Sequence, residues 1–225
     1  MSNFPSQSTE RSRFGSLSGE LTTGLQAKVF GLLAFCFAFA GAGGAVGYRY
    51  VERGAFLPLF IAYIALIFGV QAARNKDGLN IALLYAATFT TGLIVGPTIE
   101  SYVGSGAGSV VFQAAAITGG MTIGLSAYAL TTKRNLSGLQ PILFVALLGL
   151  LIASVANIWV GGSVMYGIIS WAGAVLFSVM LVFDVNRSRY AEDTMGNAVV
   201  ITLSVFLDIV NIFLFMTRIL GAGRR

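Results

Sequence analysis

Residues 205–215 read VFLDIVNIFLF, an apolar run with one carboxylate, Asp208, near its middle. The whole segment, Ala198–Leu220, has the roughly 20 residues a helix needs to cross a bilayer. An ionised aspartate in hydrocarbon costs on the order of 2.5–3.5 kcal/mol even on lenient insertion scales. The chain must make this position tolerable, and how it does so decides how everything else is arranged.

The surrounding sequence is of the same kind. Of 225 residues, 56% are hydrophobic and 10% charged, with a mean hydropathy of +0.82. A soluble domain carries about 25% charged residues, so this is the composition of a polytopic membrane protein. The net charge is +5. The basic residues sit in short breaks between apolar runs, which suits orientation signals and headgroup contacts. No basic face with interleaved aromatics occurs, which argues against nucleic-acid binding. The chain has no histidine, which excludes His-based zinc sites and His-based catalysis. Cys36 is the only cysteine, so no intramolecular disulfide can form.

Seven apolar runs are near spanning length: Lys28–Gly47, Ala55–Ala73, Leu79–Pro97, Ser109–Thr131, Leu139–Val160, Ser163–Phe183 and Ala198–Leu220. The expected fold class is an all-α integral membrane protein, a seven-helix bundle forming one domain over residues 28–221. Only Gly161-Gly162 separates the fifth run from the sixth. Residues 1–27, rich in Ser and Thr with Arg11 and Arg13 among them, read as a flexible tail without a signal peptide. Residues 222–225 form a short basic tail. Alternate loops divide the Lys and Arg residues nine to five. The positive-inside rule then places the N-terminus in the cytoplasm and the C-terminus outside. Gly43/Gly47, Gly92/Gly96 and Gly120/Gly124 have GxxxG spacing, expected to serve close helix packing within the chain. Thr118, Thr122 and Ser126 form a hydroxyl stripe expected to bond back to its own helix.

Few ionisable groups fall at membrane depth. Asp184 closes the sixth run and Arg74 follows the second. Gly196 lies midway between Asp184 and Asp208, 12 residues from each. In an antiparallel hairpin both carboxylates then sit at a similar height, roughly 18 Å from the tip, if both helices extend that far. Two close carboxylates cannot both ionise cheaply and titrate as a coupled unit. Arg74 falls on the same side; by spacing alone it can be a positive-inside anchor, the usual role of an arginine there, or the partner of both aspartates. Asn211, three residues past Asp208, shares its face and can line a polar path.

Three stretches carry a family resemblance. LVFDVNRSRY with ITLSVFLDIVNIFLFMTRILG resembles the sixth and seventh helices of the Bax inhibitor-1 family, also called the transmembrane Bax inhibitor motif family. ALTTKRNLSGLQPIL resembles the basic turn before its fifth helix, and YAATFTTGLIVGPTIESY its third. The resemblance covers roughly residues 20–221, and the chain looks like a bacterial-type member. It implies a seven-helix bundle with the last helix inside a ring of six, where Asp208 sees protein and water. It implies a pH-gated calcium leak through an aspartate pair matching Asp184 and Asp208, with Arg74 pairing to them in the closed state. Both aspartates are then possible Ca²⁺ contacts. The resemblance implies Ca²⁺ as the transported ion, and no cofactor is expected. Bacterial members sit in the inner membrane, and some interact with a membrane-anchored ATP-dependent protease. The second run here has no acidic residue, unlike the family's pore pattern.

Two other function classes set the contrast. The chain can be an interaction protein, modulating a membrane protease or survival pathway without conducting ions. An intramembrane aspartyl protease would also use two aspartates on adjacent helices. No GxGD precedes Asp208, so no enzymatic activity is expected. A retinal receptor needs a Schiff-base lysine, which the seventh run lacks.

Overall fold

The computed structural model describes residues 7–223, with side chains from Gly24 onward except that of Arg53. Residues 1–6, Arg224 and Arg225 lie outside the described residues, as do the side chains of Arg11 and Arg13. The α-helices are α1 (Gln7–Tyr50), α2 (Phe56–Ala72), α3 (Leu79–Gly104), α4 (Gly108–Thr131), α5 (Gln140–Val160), α6 (Ser163–Arg187) and α7 (Met195–Ala222). Among the described residues no strand occurs. Six helices are long and apolar enough to cross a membrane. α2, with 17 residues, is about 25 Å long and stands at the lower limit for a span.

α1 runs through residue 27 without a break, so helix continues back into the Ser/Thr-rich segment. Its buried stripe begins at Leu25 and continues through Val29, Leu33 and Cys36, one face of a helix at 3.6 residues per turn.

The tightest seam joins α1 to α3. A Cβ at Gly43 would stand 2.1 Å from the carbonyl oxygen of Phe89, and one at Gly92 would stand 2.1 Å from that of Ala40. Gly47 and Gly96 are similarly closed in. Two of the three GxxxG pairs thus face each other across one interface, as small residues permit in membranes. α3 also runs past Pro97, where the sequence reading ends its third run. Proline cannot donate to the carbonyl four residues back, that of Leu93. That oxygen lies against Gly47, at 2.5 Å from where a Cβ would be, so backbone covers the group the proline frees.

Gly161 (φ +66°) and Gly162 (φ +106°) turn α5 into α6. Nothing lies within 4 Å of a Cβ at Gly162, so the cost of a side chain there is purely conformational. Gly162→Ala should lower stability by about 1–3 kcal/mol, read as a lower midpoint of unfolding in detergent. An unchanged midpoint would mean that this turn relaxes freely.

α7 is the most buried helix, with its spanning window 67% buried. It packs against α1, α2, α3, α4 and α6, whereas α5 packs on α6. α5 turns Ile152, Ile158 and Trp159 outward, a surface suited to lipid. The turn between α6 and α7 shares one end of the bundle with the α2–α3 and α4–α5 turns. The junction of α1 with α2 lies at the other.

Candidate functional site

Asp184 and Asp208 come together. They are 5% and 2% exposed, and their carboxyl groups lie within hydrogen-bonding reach of each other. The register is that of the whole α6–α7 pair. Seven residues further from the turn on each helix, Phe177 stacks on Phe215 with ring centroids 5.9 Å apart. The edges of the hairpin differ from the sequence expectation. α6 ends three residues after Asp184, about 5 Å on, whereas Asp208 lies thirteen residues into α7, about 20 Å from its start. Residues 188–194 cover the difference as a non-helical strap.

The cation beside the pair is Arg187, whose Nη1 is 3.9 Å from Asp184 Oδ1. That i,i+3 spacing is readable in the sequence. Asp208 Oδ2 has no hydrogen-bond partner.

Arg74 is elsewhere. Among the described residues no ion pair joins it to either aspartate. Its guanidinium donates to Asn197 Oδ1 in the first turn of α7. The reason is steric and longitudinal. Gly196 has no side chain, so the backbone of Arg74 packs directly on that turn, with its carbonyl oxygen 2.4 Å from where a Cβ would stand. From Asn197 to Asp208 is about 16 Å along α7, beyond the reach of one side chain. Arg74 therefore holds the start of α7 instead of clasping the carboxylates.

Other polar contacts fasten the same end. Lys28 Nζ pairs with Asp193 Oδ1 at 2.9 Å, tying α1 to the strap. Asn197 Nδ2 donates to the carbonyl of Glu192 at 2.9 Å, and Thr194 caps α7 by accepting from Asn197 N. Asn186, 1% exposed, accepts from Leu136 N and donates to the carbonyls of Ala129 and Arg134. It pins the α4–α5 turn to the end of α6, two residues from Asp184. The sequence reading passed over Asn186 and Asn197. The only available signal was an amide within or beside an apolar helix, which must find partners once buried.

On the far side of the pair, a vestibule of about 720 Å³ enters the bundle where α1 meets α2. Glu52, Tyr63, Tyr166 and Arg218 line it, and it descends to Leu207 and Asn211. Asn211 donates to the carbonyl of Leu207 at 2.8 Å, so it lines the cavity while bonded to its own helix. Toward the turn, Ala198, Val199, Val200, Ile201, Thr202 and Leu203 of α7 are all buried, and a cavity of about 580 Å³ lined by Arg74, Asp77, Glu192 and Asn197 lies at the start of that helix. The site is thus a buried acid pair beside the inner end of a vestibule, with a packed stretch of α7 between it and the turn.

Metal ligation by the pair is limited. Among the described residues no group of three His, Cys, Asp or Glu side chains forms a metal-binding cluster. Ca²⁺ takes six to eight oxygens, and two carboxylates offer at most four. Asp184 and Asp208 can touch a passing cation, with water completing its shell.

The chain matches, over residues 23–225, the family described as inhibitor of apoptosis-promoting Bax1. It belongs to the Bax inhibitor-1 family. Similar proteins include the inner membrane protein YbhL of Escherichia coli K12, 28% identical over 218 residues, which cover 92% of this chain and 89% of YbhL. An uncharacterized membrane protein of Vibrio cholerae is 32% identical over 166 residues, 73% of this chain and 74% of that protein. A Campylobacter jejuni protein is 30% identical over 193 residues, 84% of this chain and 81% of that one. This Bax inhibitor-1 family chain is an integral membrane protein embedded in a lipid bilayer.

Proposed function

We propose that the protein is a calcium leak channel of the Bax inhibitor-1 type, gated by protonation of the Asp184–Asp208 pair. The supporting observation is the meeting of two buried carboxyl groups on α6 and α7, one residue from Leu207 at the inner end of a vestibule that opens at the α1–α2 junction. The arrangement described is the closed state, with α7 as the central helix of seven spans. A cation enters past Glu52 and Asn211, losing water gradually to oxygen ligands. Its path stops at the pair. Proton uptake changes the charge facing Arg187 and the packing between α6 and α7. The strap and the first turns of α7, held by Lys28 and Arg74, then shift to open the other side. Arg74 acts on the gate through Asn197. By the Lys and Arg distribution the strap faces the cytoplasm of a bacterial inner membrane, with the C-terminus outside.

Calcium flux into proteoliposomes tests this. Wild-type flux should change several-fold between about pH 6 and about pH 8. Asp208→Asn should flatten that dependence. The competing reading, a non-conducting modulator of a membrane protease or survival pathway, gives no flux for either protein. Flux that is equal at every pH and indifferent to the substitution would sink the gating.

A further inference from the structure

A second cavity, of about 660 Å³, is a slot in the side of the bundle between α1, α3 and α4. Its rim is formed by Phe37, Gly41 and Ala45 of α1 and by Ala115, Gly119 and Ile123 of α4, all exposed. These surfaces face hydrocarbon in the membrane. The slot stays open because the facing residues are small: nothing lies within 4 Å of a Cβ at Gly41 or Gly119. Its floor is α7, at Ile209, Val210 and Phe213, so it ends on the two residues that follow Asp208.

We propose that this slot is an acyl-chain site. It takes one hydrocarbon tail of a membrane phospholipid, from the leaflet at the Tyr50 end, and seats it against α7 beside the acid pair. Three observations carry the assignment. The lining is almost wholly apolar and continuous with the lipid-facing surface. From Phe37 to Tyr48 the slot runs eleven residues along α1, about 16 Å, and one leaflet of a ~30 Å hydrocarbon core is about 15 Å deep. Arg49 stands exposed one residue beyond Tyr48, at the level where a phosphate headgroup lies.

Two hydroxyls in the wall bear on the choice of occupant. Thr118 is 4% exposed, and neither it nor Thr122 has a hydrogen-bond partner, against the expectation that this stripe bonds back to its helix. With a tail in the slot, each hydroxyl can turn to a carbonyl of its own helix. A polar occupant would keep both facing inward. The inference rests on the membrane fold and is independent of calcium flux.

The test uses the full chain in vesicles of phosphatidylethanolamine and phosphatidylglycerol, with a trace of phosphatidylethanolamine carrying a diazirine near the end of one tail. After illumination, labelled peptides are mapped by mass spectrometry. Label should concentrate on the slot rim of α1 and α4, several-fold above the equally lipid-exposed face of α5. Gly119→Leu and Gly41→Leu, each with open space for the side chain, should reduce it to the α5 level. Thr118→Val with Thr122→Val should leave it unchanged. Even labelling of α4 and α5, or labelling that survives both leucine variants, would overturn the site. So would loss of label in the valine variant, which would assign a polar ligand. Cross-linked pairs of this chain in place of lipid adducts would assign the slot to a second copy.

Discussion

Gly92→Leu is expected to abolish accumulation of the folded protein. The Cβ alone would stand 2.1 Å from Ala40 O, 2.6 Å from Gly44 N and 2.9 Å from Gly43 C. These are backbone atoms of a neighbouring helix, and no side chain can rotate away to make room. α1 and α3 would have to separate along their length. Overpacking a core typically costs 1–3 kcal/mol when side chains give way. Here a whole seam gives way, so the loss should exceed about 3 kcal/mol, a large part of the 5–15 kcal/mol that holds a domain together. Separation would also move Leu93 O off Gly47 and leave the carbonyl freed by Pro97 uncovered in the membrane. The readout is the yield of monodisperse protein after extraction from membranes. Gly120→Leu is the control: its Cβ meets nothing within 4 Å, and the variant should match wild type within about 0.5 kcal/mol. A wild-type yield from Gly92→Leu would show that the seam is not a folding requirement.

That contrast shows what can be read from such a chain before its structure. Gly92/Gly96 and Gly120/Gly124 have the same spacing in equally apolar runs, yet one is buried against backbone and the other is open. Spacing reports that close approach is possible. Only the third dimension says whether a partner helix is there. The apolar runs themselves were legible because bilayer thickness sets their length, and α4, α5 and α6 fall within four residues of the expected limits. Where a run misjudged its helix, as at Pro97, the reason was a local rule overridden by packing from another helix.

The candidate site divides the same way. Asp184 and Asp208 could be matched because an antiparallel hairpin ties height to distance from its turn. Arg74 could not be placed, because the strap of residues 188–194 is not helical and α7 begins far below the end of α6. An arginine that a symmetric hairpin would put level with the pair is instead level with Asn197. Arg187, three residues past Asp184, was visible by spacing but entered the sequence reading only through the count of basic loop residues. The slot beside α7 left no mark in the sequence, since its walls are glycines and alanines that would serve a packed interface equally well.

Asp184→Asn and Asp208→Asn should prove strongly non-additive, in stability and in flux. The two carboxyl groups lie in one buried contact, with Arg187, 3.9 Å from Asp184, their only ion-pair partner among the described residues and Asp208 Oδ2 without a hydrogen-bond partner there. Either replacement removes a like-charged neighbour from the acid that remains and supplies an amide that can donate to it. Each single variant should therefore be more stable than wild type at neutral pH. The second replacement then has no repulsion left to relieve, and it leaves two amides competing for the same few acceptors. The double variant should fall short of the summed gains by a coupling energy on the order of 1–3 kcal/mol. Titration of sodium dodecyl sulfate into detergent micelles, followed by circular dichroism, measures all four corners of the cycle. The flux profile should behave alike. Because the proposed gate reads the joint charge state of the coupled pair, which a lone acid cannot reproduce, either single variant should flatten the pH dependence as completely as the double. Additive stabilities, together with separate partial effects on the pH profile, would show that the two carboxylates act independently despite their contact.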